Sequence, residues 1–172
     1  MPLTVLKEIF GFDSFRPGQE EAIRAVLDGR DTLAVMPTGG GKSLCYQVPA
    51  LMKEGLTVIV SPLISLMKDQ VDSLLQSAVE GAATLHSGLS PEERWGVEKK
   101  VRTGEIRMLY VAPERLRSLE FVLTLRKTGV GLFVVDEAHC ISEWGHDFRP
   151  DYLFLPRVVR DLGHPPVLAL TA

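Results

Sequence analysis

The chain has 172 residues, of which 45% are hydrophobic and 24% are charged, and its formal net charge at pH 7 is −3. A chain of this length corresponds to about one domain with a buried core, and its composition excludes disordered, collagenous and fibrous proteins. There is no overall basic excess, so any binding to nucleic acid must use a local patch.

The cysteines and the hydropathy of the chain restrict the class of protein further. Cys45 and Cys140 match no metal-binding or thioredoxin spacing, which excludes a disulfide framework, favours a reducing compartment and predicts two buried thiols. The sequence has no apolar run of about 18 residues and no signal peptide pattern at its start. We therefore expect a cytoplasmic protein with no membrane partner.

Two amphipathic patterns at 3–10 and 17–27 predict helices near the start of the chain. Gly11 and Gly29 fall just beyond their ends, where a left-handed residue commonly stops a helix. Pro17 falls at a position that favours a helix start. We predict a helical segment over residues 1–30.

Short β-branched runs alternate with amphipathic runs in the remainder. The short runs predict strands at 32–35, 56–60, 82–85, 107–111, 132–135 and 167–170. Apolar residues recur every three or four positions between Leu63 and Leu75, which predicts a helix with one apolar stripe. Such alternation favours a parallel sheet covered on both faces, so we predict a three-layer α/β core over 31–172 and a single domain over 1–172.

The last predicted strand lies at the very end of the chain. Only Thr171 and Ala172 follow the run at 167–170, whereas domains usually end in a surface segment. We therefore expect the chain to be part of a longer protein.

A glycine-rich loop at 36–43 follows the first predicted strand and precedes a helical run. Three consecutive glycines, Gly39, Gly40 and Gly41, would let backbone N–H groups approach an anion. Lys42 would supply a charge for the β- and γ-phosphates of a nucleotide, and the Ser43 hydroxyl could ligate Mg²⁺. The generic pattern has glycine where this chain has Met36. The alternative is a flexible glycine turn with a solvated lysine.

An acidic pair, Asp136 and Glu137, follows the predicted strand 132–135. Carboxylates at the carboxyl end of a parallel strand lie in the crevice where such sheets bind ligands. Asp136 would hold Mg²⁺, Glu137 would polarise the attacking water, and His139 would act as a link rather than a catalyst. The acids could instead complement a helix dipole. A zinc site is a further alternative, although the spacing of its candidate ligands matches no usual pair; these are His139, Cys140, His146 and Asp147.

Several motifs in order resemble those of one family, the RecQ-type DNA helicases of helicase superfamily two, over essentially the whole chain. The motifs lie at 10–19, 36–47, 61–70, 110–116 and 136–152. The resemblance implies a P-loop NTPase domain of the RecA-like type, in agreement with the α/β prediction. It also implies ATP and Mg²⁺ as cofactors, single-stranded DNA and duplex junctions as partners, and a second RecA-like domain in the same longer chain.

The resemblance assigns nucleotide contacts to the first two motifs. Gln19 would read the adenine edge, Phe12 would stack on the ring and Arg16 would assist. The implied nucleotide-binding residues are Phe12, Arg16, Gln19, Thr38, Gly39, Gly40, Gly41, Lys42 and Ser43. Phe12 could instead be a core aromatic, which is the role we favour for Phe10 and Phe15. Tyr46 and Gln47 are expected to pack rather than to contact the ligand.

The resemblance assigns DNA contacts to the aromatic-rich loop through Trp144, Phe148 and Arg149, and to Ser61, Pro62 and Arg115. Base stacking on aromatic rings tolerates any sequence, which suits a motor. Both aromatic residues could alternatively cap the core. Residues 94–117 carry seven Lys and Arg against three Glu, a charge that either phosphate contacts or a solvated helix face would explain.

The implied function is that of an ATP-dependent DNA helicase with 3′ to 5′ polarity in DNA repair and recombination, in the bacterial cytoplasm at the nucleoid. Its implied catalytic residues are Lys42, Asp136, Glu137 and His139. Because an arginine from the second domain contributes about 10³ to 10⁵ in rate, this chain alone is expected to hydrolyse ATP weakly and to unwind DNA poorly or not at all. The alternatives are a non-enzymatic nucleotide-binding or interaction module and a small-molecule kinase.

Overall fold

A computed structural model describes all 172 residues, which form seven helices and six strands. The helices are α1 (Pro2–Phe10), α2 (Gln19–Leu27), α3 (Leu44–Met52), α4 (Ile64–Gln76), α5 (Pro91–Arg102), α6 (Leu119–Thr128) and α7 (Leu155–Asp161). The strands are β1 (Thr32–Val35), β2 (Leu56–Val60), β3 (Ala82–Leu85), β4 (Met108–Val111), β5 (Val130–Val135) and β6 (Val167–Thr171). Short 3₁₀ turns lie at Pro113–Arg117, Ala138–Ile141 and Pro150–Tyr152. None of the helices combines the length and the apolar character that a membrane crossing requires.

The six strands form one sheet in the order β1-β6-β5-β2-β4-β3, and every neighbouring pair is parallel. Val60 pairs with Val111 on one side and with Val135 on the other, so three central strands end at the same level. This confirms the predicted parallel α/β fold. It also brings the loops that follow the strands to one edge of the sheet.

Each face of the sheet carries its own hydrophobic core of 18 buried residues. Successive side chains of a strand point to opposite faces; Ile59 and Val134 pack beneath α2, α3 and α4, whereas Val58 and Phe133 pack beneath α5, α6 and α7. The result is the three-layer arrangement that the sequence predicts. Cys45 and Cys140 lie one in each core, and both are buried and unpaired as expected.

Five element boundaries differ from the prediction by one or two residues, including the start of α1 at Pro2 and the end of β6 at Thr171. α2 begins at Gln19 rather than Pro17, because Gly18 precedes it in the left-handed region with φ 84°. β5 begins two residues early at Val130, where Leu56 pairs with it across a register shift. Only glycine fits at position 131, since a Cβ there would lie 2.2 Å from the Glu54 carbonyl oxygen.

A further difference is at the start of β4, which begins at Met108 instead of Arg107. The Arg107 guanidinium reaches the last carbonyl groups of α3, at Ala50, Leu51 and Lys53. A cation at this end of a helix interacts favourably with carbonyl groups that have no partner within the helix. Arg107 therefore anchors the helix that starts at the glycine-rich loop.

Candidate functional site

A cavity of about 600 Å³ opens at the carboxyl edge of the sheet, between the loop after β1 and the acidic pair after β5. In an open parallel sheet this edge is the usual place for a ligand. The structure brings together nine of the residues predicted for the site, and they line the cavity: Phe12, Arg16, Gln19, Gly39, Gly41, Lys42, Ser43, Asp136 and Glu137. Gly40 is half-buried and Thr38 is exposed, and both lie in the same loop outside the cavity lining.

The glycine-rich loop has the geometry of an anion cradle. Gly39 and Gly41 have φ values of 77° and 74°, which side chains rarely adopt. A Cβ on Gly40 would lie 2.8 Å from the Pro37 carbonyl oxygen. The backbone N–H groups of Gly39, Gly41, Lys42 and Ser43 donate to no acceptor in the protein. Because α3 begins directly after them, these free donors lie at the positive end of a helix dipole.

Gln19 braces this loop from the side of α2. It is almost completely buried; its Oε1 accepts a hydrogen bond from the Arg16 N–H at 2.8 Å, and its Nε2 donates to the Gly41 carbonyl oxygen at 3.0 Å. Nε2 also donates to the Gly40 carbonyl oxygen at 3.3 Å. The Arg16 guanidinium donates to the Gly39 carbonyl oxygen. Both ends of the amide are thus engaged by the protein. The adenine-reading role of Gln19 stays a prediction, and it requires the amide to exchange these partners.

Phe12 lies at the rim of the cavity with half of its surface exposed. Its ring is therefore available for stacking, so the alternative of a core aromatic is wrong for this residue. Phe10 instead packs partly against the first core, as expected, although it also contributes to the cavity wall. Phe15 is half-buried.

Asp136 is fixed by its backbone at the end of β5. Its N–H donates to the Val60 carbonyl oxygen at 2.9 Å, and its Oδ1 accepts from the Glu137 N–H at 2.9 Å. Burial, followed by the charge of Glu137, raises the pKa of the Asp136 carboxyl to about 6. A carboxylate that burial disfavours is stabilised by a nearby cation. Ser43 and Asp136 both line the cavity, and their side chains carry oxygen atoms, the ligands that Mg²⁺ prefers, so the residues present fit this ion.

Glu137 and His139 connect the cavity to two further segments. Glu137 adopts the left-handed region with φ 51° and precedes the 3₁₀ turn Ala138–Ile141. Nδ1 of His139 lies 2.9 Å from Oγ1 of Thr171 and 3.4 Å from Oε2 of Glu137. Its Nε2 lies 3.5 Å from Oδ2 of Asp147. His139 thus bridges the acidic pair, the end of β6 and the aromatic-rich loop, which is the geometry that a linking role requires.

The aromatic-rich loop projects into solvent. The Trp144 side chain is 98% exposed, so the alternative that it caps the core is wrong. Phe148 is half-buried and Arg149 is exposed. The Arg149 N–H donates to the Cys140 carbonyl oxygen at 2.9 Å, which closes the loop at its neck. No group of three or more His, Cys, Asp or Glu side chains is arranged to hold a metal ion, so the geometry gives no support to the zinc alternative.

The other residues assigned to DNA differ in availability. Ser61 directly follows β2 and precedes Pro62, and its buried hydroxyl has no hydrogen-bond partner. Arg115 is engaged within the protein, because its guanidinium lies 3.1 Å from Oε1 of Glu98 and over the Phe121 ring. Contact between Arg115 and a nucleic acid therefore stays a prediction, and it requires Arg115 to leave Glu98.

Sequence reasoning missed a polar wall of the cavity formed by α3 and α4. Tyr46 and Gln47 are buried as expected, yet both also line the cavity. Nε2 of Gln47 donates to Oε1 of Gln70 at 3.1 Å, and the wall continues through Ser73 on α4 and Ser77 just after its end. The spacing of 70 and 73 places these two polar side chains on one helix face, a signal that could have identified this wall.

The raised pKa of Asp136 makes the stability of the metal-free protein depend on pH. Its pKa is raised from 3.8 to about 6, so between these values the folded chain binds more protons and the free energy of unfolding falls as pH rises. The loss amounts to at most about 3 kcal/mol. We expect Asp136→Asn to raise the Tm in EDTA near neutral pH. Near pH 3.8, the ordinary pKa of the carboxyl, the substitution should change the Tm little. Thermal unfolding followed by circular dichroism checks this, and an unchanged or lower Tm at neutral pH would contradict it.

The chain matches one family model and is similar to known helicases. The family model of DEAD/DEAH box helicases matches residues 16–172. The probable ATP-dependent DNA helicase RecS of Bacillus subtilis (strain 168) is 52% identical over 167 residues, which cover 97% of this chain and 33% of RecS. The ATP-dependent DNA helicase RecQ of Haemophilus influenzae is 50% identical over 170 residues, which cover 99% of this chain and 27% of that protein. The chain thus spans about a quarter to a third of the length of these relatives.

Solved structures share the fold. The crystal structure of the DUF1998 helicase MrfA bound to DNA superposes with a TM-score of 0.80 at 22% identity, over 99% of this chain and 26% of that chain. A hypothetical ATP-dependent RNA helicase from Sulfolobus tokodaii superposes with a TM-score of 0.74 at 19% identity, over 99% of this chain and 50% of that chain. Both comparisons agree with the six-stranded parallel sheet and its flanking helices.

Proposed function

The chain belongs to the DEAD/DEAH box helicase family, and from this premise we propose that it is the Mg-ATP-binding motor domain of a RecQ-type DNA helicase. The single observation that carries the proposal is the loop at 36–43. The backbone N–H groups of Gly39, Gly41, Lys42 and Ser43, which have no acceptor, and the Lys42 side chain share one cavity with Asp136 and Glu137. This combination of donors, a lysine and a carboxylate pair is what phosphoryl transfer from a nucleotide requires.

Different residues serve nucleotide binding and hydrolysis. The free N–H groups and Lys42 hold the phosphates, while Ser43 and Asp136 hold Mg²⁺. When bound, Mg²⁺ neutralises the charge that develops on the transferred phosphoryl group. Glu137 orients the attacking water and accepts its proton, and His139 holds Glu137 in place. Phe12, Arg16 and Gln19 bind the adenine.

We propose that Trp144, Phe148 and Arg149 bind a single DNA strand, with Ser61, Pro62 and Arg115 along the same track. The exposed Trp144 ring offers a stacking surface, and the loop that carries it joins the acidic pair through His139. The relatives named above are three to four times longer, which agrees with a second RecA-like domain in the whole protein. That domain would supply an arginine for hydrolysis, and the whole protein would unwind DNA with 3′ to 5′ polarity at the nucleoid in the cytoplasm.

The test is ATP turnover by this chain with and without a single-stranded oligonucleotide. We expect Trp144→Ala or Phe148→Ala to abolish stimulation by the strand while the basal rate stays the same. Because stacking contributes about 1–3 kcal/mol per base, affinity for the strand should fall by about fivefold to 150-fold. Fluorescence anisotropy measures that affinity.

Trp95 provides a matched control, because it is also an exposed tryptophan but lies on α5 beside Lys99. Trp95→Ala should keep full stimulation. Equal stimulation in the parent chain and in both loop variants would refute the role of the loop. ATP binding that DNA leaves unaffected in the parent chain would instead fit a nucleotide-binding module without motor activity.

A further inference from the structure

Tyr152 touches both the aromatic-rich loop and the acidic pair. It is completely buried in the core on the side of α7, at the end of the 3₁₀ turn Pro150–Tyr152. Its hydroxyl donates a hydrogen bond to the Asp136 carbonyl oxygen at 2.8 Å. Its backbone N–H donates to the Arg149 carbonyl oxygen at 3.0 Å. Tyr152 therefore contacts the last residue of the loop through its backbone and the end of β5 through its side chain.

The base of the aromatic-rich loop, where Arg149 meets Cys140, is connected to the acidic pair by a second set of hydrogen bonds. Arg149 bonds to the Cys140 carbonyl oxygen, and the Cys140 N–H donates to the Glu137 carbonyl oxygen at 2.9 Å. The exposed part of the loop thus lies between two fixed attachments, Cys140 near Glu137 and Tyr152 at Asp136. A displacement of the loop must act on at least one of them.

The Asp136 carbonyl group controls the orientation of both carboxylates. In a trans peptide the carbonyl oxygen and the following N–H point in opposite directions. Holding the carbonyl oxygen therefore directs the Glu137 N–H, which donates to Oδ1 of Asp136. Glu137 itself has φ 51°, a conformation that non-glycine residues keep only when their surroundings impose it. The Tyr152 hydroxyl is one of the contacts that impose it.

We infer that Tyr152 is a positioning residue that transmits strand occupancy of the aromatic-rich loop to the Asp136–Glu137 peptide. The inference rests on the proposed function, because it assumes that the loop binds a strand and that the acidic pair serves Mg-ATP. Tyr152 touches neither ligand. It acts through the carbonyl group of Asp136.

Tyr152→Phe removes the hydroxyl and keeps the buried ring. The experiment measures the affinity for a non-hydrolysable ATP analogue in four conditions, with and without Mg²⁺ and with and without single-stranded DNA. Binding without Mg²⁺ should be unchanged, because the loop at 36–43 is intact. The gain in affinity from Mg²⁺ should fall by about threefold to tenfold, the size expected for one hydrogen bond. The effect of DNA on nucleotide affinity should disappear.

Val158→Ala is the control for a merely structural effect. Val158 is buried on α7 in the same core but makes no contact with the acidic pair through hydrogen bonds. This variant should lose stability and keep both the gain from Mg²⁺ and the effect of DNA. The inference is overturned if Tyr152→Phe keeps the parent's effect of DNA, or if Val158→Ala loses it to the same extent. A parent chain that shows no Mg²⁺-dependent nucleotide binding would overturn the proposed function and this inference together.

A measurement on the parent chain covers the case in which Tyr152→Phe does not fold. The Glu137 amide resonance in ¹H–¹⁵N spectra reports on the peptide that Tyr152 holds. Single-stranded DNA added without nucleotide should shift this resonance. Binding of the strand at Trp144 with no change at Glu137 would overturn the inference while leaving the proposed function intact.

Discussion

Lys42→Ala is expected to weaken Mg-ATP binding about a hundredfold. The Lys42 side chain lines the cavity beside the free N–H groups of the loop, where it would contact the β- and γ-phosphates. A hydrogen bond to a charged group contributes about 1.5–3 kcal/mol, and a difference of about 3 kcal/mol corresponds to a hundredfold change in the dissociation constant. Isothermal titration calorimetry with a non-hydrolysable ATP analogue and Mg²⁺ measures the change.

The matched control for this variant is Lys127→Ala on α6, an exposed lysine remote from the cavity. It should bind the nucleotide with the affinity of the parent chain. Lys42→Ala should also keep the Tm of the parent in the absence of nucleotide, because the Lys42 side chain makes no hydrogen bond or ion pair within the protein. Equal affinity for the analogue in the parent and in Lys42→Ala would contradict the assignment of the loop.

Glu137→Gln should bind Mg-ATP within about twofold of the parent and hydrolyse it at least about a hundredfold more slowly. The amide keeps the shape of the side chain but cannot accept a proton from the attacking water, and general base catalysis contributes about 10²- to 10⁴-fold. Binding is preserved because the phosphates and Mg²⁺ are assigned to other residues. Phosphate release in single turnover, with protein in excess, makes even slow hydrolysis measurable.

Glu54→Gln serves as the control for the loss of one carboxylate. Glu54 is exposed and precedes β2 at the opposite edge of the sheet. Its variant should hydrolyse ATP at the parental rate. A Glu137→Gln variant with a parental rate of hydrolysis would show that another group activates the water. A variant that loses binding as well would show that Glu137 helps to hold the nucleotide.

The elements of the fold were predictable because they depend on local patterns. All six strands, the two helices before β1 and the helices that follow β1 and β2 were predicted from β-branched runs, apolar periodicity and glycine positions. The errors lie at boundaries that distant residues determine. β5 starts early because Gly131 allows close approach to Glu54. β4 starts one residue late, at Met108, and the guanidinium of the preceding Arg107 caps α3. Neither contact leaves a pattern in the neighbouring sequence.

The candidate site was predictable in its residue types but not in its partners. The spacing of the glycines, Lys42 and Asp136 located the cavity, because strand ends in a parallel sheet meet at one edge. The sequence could not show which partner within the protein each side chain contacts. Gln19 is occupied by the loop and Arg115 by Glu98, while Gln70 forms part of the cavity wall. Such choices depend on tertiary distances that only the folded chain defines.

Several costs to stability are concentrated where β5 ends. Burial raises the pKa of Asp136, Glu137 has a left-handed backbone, and the Ser61 hydroxyl at the end of β2 has no partner. Strain of this kind persists when the surrounding structure imposes it, and it commonly marks functional sites. Asp136→Asn is therefore expected to increase stability while it removes a ligand for Mg²⁺.

We propose that the loop at 36–43 binds the phosphates of a nucleotide through its backbone. The most direct test is a titration of the isotope-labelled chain with Mg²⁺ and a non-hydrolysable ATP analogue, followed by ¹H–¹⁵N spectra. The amide resonances of Gly39, Gly41, Lys42 and Ser43 should shift together and saturate at one stoichiometric equivalent. If these four resonances stay in place at millimolar analogue while the protein remains folded, the account is contradicted.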